Sequence, residues 1–422
     1  MSFTAETIVT WQAPPIRFGP GATREVGFEV SAMGLKSVLL VTDPYVSQTG
    51  LPKQIASLIE ACGIAVDMFD SAEIEPSDHG CAEAARITAR MKADGYVAVG
   101  GGSCIDTAKV LNLLHSYPGS DLSRYLNRPV GAGEPVPGPL KPLVAVPTTS
   151  GTGSECTSMV ALEITAQRVK TGIADRRLQP SLAIVDPLNT MTMPPAVTAA
   201  TGYDVLCHAC ESYTARPFDR RPRYSTPAQR PIYIGANPIS DLWAERALEL
   251  LGRYFRRAVL NGSDVEARTG MSQAALYAGM GFGNAGTHIP HSCAYPIAGR
   301  VRDYVPDGYP ISHALVPHGQ AVVVTAPAAF SFTYLADPGR HHRAAELLGS
   351  PADGGADALP EAIRSIVRDT GGPLTLSGLG YTREDIPALI EGTLKQQRLL
   401  ECCPRPVTEA DLDRVFRDSM GN

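Results

Sequence analysis

Tyr96-Val-Ala-Val-Gly-Gly-Gly-Ser103 runs a short β-branched strand into three glycines, and Cys104 to Lys109 then begin a helical pattern. Strand end, glycine turn and helix start, in that order, are what a helix-covered parallel sheet places at its ligand edge. Glycine lets the backbone come close, and the free N–H groups of a helix start attract an anion. Working outward, Ser37–Asp43 (SVLLVTD), Leu143–Ser154 (LVAVPTTSGTGS) and Leu182–Pro187 (LAIVDP) repeat the buried-strand texture. Between them Leu51–Cys62 and His79–Ala93 repeat apolar residues at spacings of three and four, as amphipathic helices do. The expected fold class for residues 1–193 is therefore an α/β domain with a parallel, helix-covered nucleotide-binding sheet.

After about Pro194 the strand signals fade. AVTAATGYDVLCHACESYTA, ISDLWAERALELLGRYFRRAVL, VEARTGMSQAALYAGMGFGNAG and REDIPALIEGTLKQQ read as helices, so residues 194–422 are expected to form an all-α, metal-binding domain. The prolines of Ala215–Pro231 exclude a regular helix there and predict a surface loop. A chain of 422 residues exceeds what one hydrophobic core usually serves, which also predicts two domains.

Composition narrows the function. A formal net charge of -6 with no long basic run argues against a nucleic-acid partner, and no stretch reaches the length of a bilayer span, so no membrane partner is expected. The opening residues lack a signal core or an Arg-rich transit pattern, which predicts a cytoplasmic protein. Nine cysteines without paired spacing predict reduced thiols rather than a disulfide framework.

The glycine loop departs from the G-x-G-x-x-G fingerprint, and Asp43 lies before it rather than about 20 residues after it. Alone it fits a tight turn as well as a nucleotide site. Pro147–Glu155 (PTTSGTGSE) adds a second strand end rich in hydroxyls and glycine, as the carboxyl edge of a doubly wound sheet requires, and favours the nucleotide reading. Lys170 fits either a phosphate or ribose partner or a solvated surface.

Asp204-Val-Leu-Cys-His-Ala-Cys-Glu-Ser-Tyr213 packs a histidine, two cysteines and two carboxylates into one helical segment. In a helix Asp204 and His208 are one turn apart on one face, with Glu211 beside them, while Cys207 and Cys210 share an adjacent face. The pair is half of an N/O metal site or merely a helix-stabilising contact. Histidines 288 and 291, and 313 and 318, are available further on, and one carboxylate with three imidazoles suits Fe(II) or Zn(II). The C-x-x-C spacing leaves a redox or zinc reading open, but no second cysteine pair has matching spacing and the thioredoxin-like context of a preceding βαβ pattern is missing.

Together GGGSCIDTAK, PTTSGTGSE, GYDVLCHACESYTA, PHSCAYP and VPHG resemble the iron-containing, or group III, alcohol dehydrogenases, from about Trp11 nearly to the C-terminus. RPIYIGANPISDLWA, GFGNAGTHIPHSCAYPIAGRV and LVPHGQAVVVTAPAAF are most similar to the hydroxyacid-oxoacid transhydrogenase branch. The resemblance implies that Asp204, His208, His291 and His318 hold the metal, Fe(II) with Zn(II) as the alternative. It implies Asp43 at the adenosine ribose, Gly101, Gly102 and Ser103 at the pyrophosphate, and Thr148, Thr149, Thr152 and Lys170 along the rest of the dinucleotide. Asp106 matches the motif as a ligand or as a brace of the loop. A carboxylate at the ribose disfavours a 2'-phosphate, so NAD is expected, with NADP as the alternative. His288 and His313 fall outside the ligand positions. Many members carry a histidine four residues beyond the third ligand, where this chain has Tyr295, here the candidate catalytic group.

The resemblance implies metal-assisted hydride transfer between a nicotinamide and a small alcohol, hydroxy acid or oxo acid, in a homo-oligomer, expected to be a homodimer. Arg216, Arg220, Arg221 and Arg223 offer a pair for a substrate carboxylate, or simply solvate a loop. The rivals are a plain NAD-dependent alcohol dehydrogenase, a lyase of the dehydroquinate-synthase type and a non-catalytic binder. The lyase needs basic residues for a phosphorylated substrate, where the motifs here are small and apolar.

Overall fold

The structure, a computed structural model, describes residues 4–167, 169–309 and 311–421. It divides into two compact units, Ala13–Met193 and a second made of Met1–Gln12 with Pro194–Asn422.

The first unit contains strands β1 (Ile16–Phe18), β2 (Ser37–Val41), β3 (Ala65–Phe69), β4 (Gly95–Gly100), β5 (Leu143–Pro147), β6 (Met159–Ile164), β7 (Val169–Ala174) and β8 (Leu182–Val185). Its helices are α1 (Val26–Ala32), α2 (Pro44–Gln48), α3 (Leu51–Glu60), α4 (Asp78–Thr88) and α5 (Gly102–Ser116). Six strands form an all-parallel sheet in the order β1-β8-β5-β4-β2-β3. β4 and β5 are buried at every position, as central strands covered on both faces must be. One face packs Val38, Leu40, Val97 and Val99 on Ile55 and Ile59 of α3, and the other packs Leu39, Val41 and Ala98 on Ile105 and Leu111 of α5. Each fully buried Ile or Leu stabilises by about 2 kcal/mol.

The chain steps outward from β2 to β3 and then returns to β4 on the other side of β2. That reversal opens a crevice at the carboxyl ends of β2 and β4, where Asp43 and the glycine loop follow. Three features escape the sequence patterns: β1, with three residues; β3, an edge strand whose first four positions are not buried; and the antiparallel β6–β7 hairpin. Residues 4–12, counted with the sheet domain in the sequence reading, pack on the helical unit instead. Glu6 pairs with Arg230 at 3.0 Å and Trp11 stacks on Trp243.

Among the described residues of the second unit there are helices and isolated bridges but no strand. The site rests on α6 (Pro195–Thr214), α7 (Pro238–Leu260), α8 (Val265–Ala285), α9 (Ile289–Gly299) and α10 (His318–Val323). Pro195 starts α6, where a missing N–H costs nothing, and the helix is then buried without a break from Thr198 to Thr214, apart from Thr201. A helix buried on all faces has no solvated side for its charges, so Asp204, His208 and Glu211 require partners in the interior. Residues 215–231 contain only short 3₁₀ turns, as their prolines predict. No described helix is long and apolar enough to cross a membrane.

Candidate active site

Three imidazoles converge on one carboxylate oxygen. Asp204 Oδ1 lies 3.6 Å from His208 Nε2, 3.3 Å from His291 Nε2 and 3.8 Å from His318 Nε2. Donors about 2.1 Å from a tetrahedral ion stand roughly 3.4 Å apart, so these spacings fit a divalent cation better than direct hydrogen bonds. Asp204, His208 and His291 offer ligand atoms all within 4.8 Å of one another. His291 Nε2 is buried without a hydrogen-bond partner, which suits a metal-donor role. Burial pushes His208 down to about 3, against the pull of Asp204, so its ring is neutral and its lone pair free at physiological pH.

Each ligand position has a local cause. Asp204 and His208 share one face of α6. His318 opens α10, and a Cβ on the next residue, Gly319, would stand 1.8 Å from Ala200 O, so only glycine lets α10 approach α6 this closely. His291 sits in α9 and is oriented by Glu211, whose Oε1 meets His291 Nδ1 at 2.5 Å while Oε2 accepts from His288 N at 2.6 Å. A carboxylate on the far ring nitrogen fixes a ligand's tautomer and aims the other nitrogen. Burial opposes charging His291, but Glu211 and Asp204 outweigh it and lift the group to about 9. In the metal-free protein that ring holds the proton a cation would displace.

His288 is buried at the N-cap position of α9, makes no side-chain cap bond there and bonds Thr214 Oγ1 at 3.1 Å; His313 is exposed on a loop. Cys207 and Cys210 are fully buried in the helical core, and burial raises both thiols, which leaves them as packing residues rather than redox partners. Tyr295 lies one turn beyond His291, its ring 6.4 Å from that of His318. Of the loop arginines, Arg220 and Arg223 are exposed and Arg216 donates to Arg220 O. Arg221 is buried with Nη2 3.3 Å from Cys402 Sγ. Outside that loop, Arg398 stacks its guanidinium on the Tyr233 ring, 4.9 Å from the ring centroid.

In the sheet unit the two polar loops interlock. A Cβ on Gly102 would stand 2.6 Å from Thr152, and one on Gly101 would stand 3.3 Å from Thr149, while Thr148 N bonds Gly100 O at 3.0 Å. Gly101, the residue before α5, brings no side-chain cap. Asp43 caps α2 through Tyr45 N and Val46 N at 2.8 and 2.9 Å, and Cys104 Sγ donates to its other oxygen at 3.1 Å. Ser103 Oγ accepts from Glu75 N, and the Glu75 carboxylate pairs with Lys170. Lys170 is therefore a buried ion-pair member rather than a solvated surface group.

Asp106 Oδ2 accepts from Ala161 N at 2.8 Å, which braces β6 against α5. Sequence patterns missed Lys109, which is 1% exposed and donates to the carbonyls of Ser154, Thr157 and Met159 at 2.8, 3.0 and 2.8 Å. It ties the hydroxyl-rich loop to α5.

Residues 13–187 match the family described as iron-containing alcohol dehydrogenase, and residues 232–420 match the C-terminal region of the Fe-containing alcohol dehydrogenase family. The chain belongs to this family and is an oxidoreductase. It is 45% identical over 412 residues to the mitochondrial hydroxyacid-oxoacid transhydrogenase of Bos taurus, covering 96% of this chain and 88% of that one. A crystal structure of 1,3-propanediol oxidoreductase aligns with TM-score 0.85 and 31% identity, covering 98% of this chain and 100% of that one. Sulfoacetaldehyde reductase from Bifidobacterium kashiwanohense, solved in complex with NAD+, aligns with TM-score 0.80 and 28% identity, covering 98% of this chain and 99% of that one.

The expected cytoplasmic location is corrected by these relatives. The bovine, rat and mouse transhydrogenases are mitochondrial, at 45–46% identity. Composition and free cysteines report the solvent in which a domain folds, not its compartment.

Proposed function

We propose that this enzyme moves hydride between a small hydroxy acid and an oxo acid through NAD, at a metal held by Asp204, His208, His291 and His318. The observation that carries the reading is the convergence of three Nε2 atoms on Asp204 Oδ1, at 3.3 to 3.8 Å. The similarity to hydroxyacid-oxoacid transhydrogenases supports the substrate class. When bound, the metal supplies Lewis acidity at the substrate oxygen and the dinucleotide supplies the hydride acceptor.

The chain's residues do the rest. One carboxylate and three imidazoles are N/O donors, which favours Fe(II), with Zn(II) as the alternative. Glu211 aims His291, and the apolar core of α6, α8 and α9 buries Asp204, His208 and His291, which strengthens their electrostatics, while His318 stays partly exposed. Asp43 at the end of β2 suits a ribose 2'-hydroxyl and repels a 2'-phosphate, favouring NAD over NADP. Gly101, Gly102 and Ser103 admit the pyrophosphate, with Thr148, Thr149, Thr152 and Lys170 along the remaining dinucleotide. Tyr295 donates a hydrogen bond toward the reacting oxygen. A phenol titrating near 10 is a poor base at neutral pH. Tyr295→Phe is expected to lower kcat about two- to tenfold, the worth of one hydrogen bond, with an unmoved pH–rate profile; a shifted profile would show that the phenol carries the proton.

The test is one assay. Purified enzyme given 4-hydroxybutyrate and 2-oxoglutarate, with no added nucleotide, is expected to form succinic semialdehyde and 2-hydroxyglutarate in equal amounts, far beyond the enzyme concentration. Turnover only with added NAD, releasing stoichiometric NADH and needing no oxo acid, would replace the reading with a plain dehydrogenase.

A further inference from the structure

Hydride passed from a hydroxy acid to an oxo acid through one nucleotide needs a site that holds that nucleotide across both half-reactions. In the first, the alcohol carbon gives up a hydride and its oxygen a proton; in the second, a carbonyl carbon takes the hydride and its oxygen a proton. Release between the two would leave a plain dehydrogenase. The sheet unit carries a segment placed to oppose that release.

Residues 70–77 join β3 to α4 and are fastened at three points. Near the start, Ala72 N donates to Thr42 O at 3.1 Å, beside Asp43 at the end of β2. In the middle, Glu75 N donates to Ser103 Oγ at 3.2 Å, in the first turn of α5 next to the glycine loop. Near the end, Glu163 N donates to Pro76 O at 2.9 Å, which joins the segment to the β6–β7 hairpin. Lys170 stands opposite Glu163 in that hairpin, and its ammonium pairs with the Glu75 carboxylate. The segment therefore forms a strap from the end of β2, past the glycine loop, to the hairpin, and the Glu75–Lys170 pair is its clasp. The two side chains are 20% and 8% exposed, so salt and water screen this pair less than a surface pair.

The backbone at Glu75 points the same way. Its φ of 62° makes it the one left-handed residue other than glycine among the described residues, and Pro76 follows it. A side chain with a Cβ is disfavoured there, and the residue before a proline is pushed toward extended backbone instead. Such a residue persists only where its surroundings hold it, here Ser103 on the backbone N–H and Lys170 on the carboxylate. A strained strap opens readily once its clasp is cut.

We propose that the Glu75–Lys170 pair fastens this strap beside the nucleotide and slows its release, with Glu75 as a positioning residue that acts through Lys170. This deepens the proposed function and rests on its nucleotide site. Holding the nucleotide between half-reactions is what separates a transhydrogenase from a dehydrogenase that exchanges its cofactor.

The experiment follows NADH leaving the enzyme, by nicotinamide fluorescence during a chase with excess NAD, in wild type, Glu75→Gln and Glu75→Asp, with each unfolding midpoint measured. Glu75→Gln is expected to speed dissociation on the order of tenfold or more while association changes by less than about threefold, because a charge-assisted contact is lost and such losses fall mainly on the off-rate. Glu75→Asp keeps the charge on a shorter arm, so its dissociation rate should fall between the other two. Glu75→Gln should also need added NAD to sustain exchange between the two acids. An ion pair that only stabilises the sheet unit would lower the unfolding midpoint and leave dissociation at the wild-type rate; that result overturns the proposal, as does a change confined to association. If Glu75→Gln does not fold, hydrogen exchange of wild type decides: amides of residues 72–77 are expected to exchange on the order of tenfold more slowly with saturating NADH, and unchanged exchange overturns the proposal. Faster release from Glu75→Gln in an enzyme that turns over neither acid removes the substrate reading and leaves the strap standing. Equal release rates in an enzyme that turns over both acids remove the strap alone, and wild type that binds no NADH removes the nucleotide site and the strap together.

Discussion

His208→Ala is expected to yield a folded protein that purifies without stoichiometric metal and has lost about a thousandfold or more of its turnover, since Lewis-acid stabilisation of developing charge is worth several kcal/mol and each 1.4 kcal/mol is about tenfold. The fold should survive because His208 is neutral when buried, so its removal strands no charge. Its ring stacks on Phe282 at 3.7 Å between centroids, so the substitution leaves a gap beside Phe282 that costs about 2 kcal/mol. The check is metal per chain by elemental analysis alongside the unfolding midpoint. One metal per chain retained in His208→Ala would remove this residue from the ligand set.

What the sequence made legible here is local, and what it hid is long-range. Asp204 and His208 are one helical turn apart, so their shared face follows from spacing alone. His318 reaches the same oxygen only because Gly319 lets α10 lie against Ala200, a contact no window of sequence reports. Glu211 is visible as a neighbour on α6, yet its work depends on His291, eighty positions further along the chain. The glycine loop and the hydroxyl loop are each recognisable, whereas the seating of Thr152 on Gly102 is a property of the folded sheet edge. The arginine-rich loop drew the carboxylate-binding expectation because arginines cluster there, yet Arg221 is buried against Cys402 and Arg220 and Arg223 are exposed, a difference that spacing does not report. β1 and β3 escaped for a different reason, since short strands that are not buried throughout lack the apolar run that marked β4 and β5.

Lys109→Met is expected to cost the sheet unit about 3–5 kcal/mol of stability, the penalty for stripping one member from a buried ion pair. A lysine usually marks a surface, but this one is 1% exposed. Burial disfavours its charge, while Asp106, with Oδ1 3.6 Å away, and Glu155 favour it. The three carbonyls it satisfies decide the outcome, because methionine matches the volume of the chain but offers them no donor. Asp106 Oδ1 has no hydrogen-bond partner, so without the ammonium a buried carboxylate is left uncompensated. The damage should stay in the sheet unit: residues 154–159 loosen, NAD affinity falls, and metal content is unchanged because the proposed ligands belong to the other unit. Adding Asp106→Asn removes the stranded charge while keeping an acceptor for Ala161 N, so the double variant should recover about 1–3 kcal/mol relative to Lys109→Met. Urea unfolding of the four proteins in the cycle, followed by titration with NAD, measures both terms. Wild-type stability in Lys109→Met would mean that water reaches those carbonyls and that the lysine is not what holds the loop to α5.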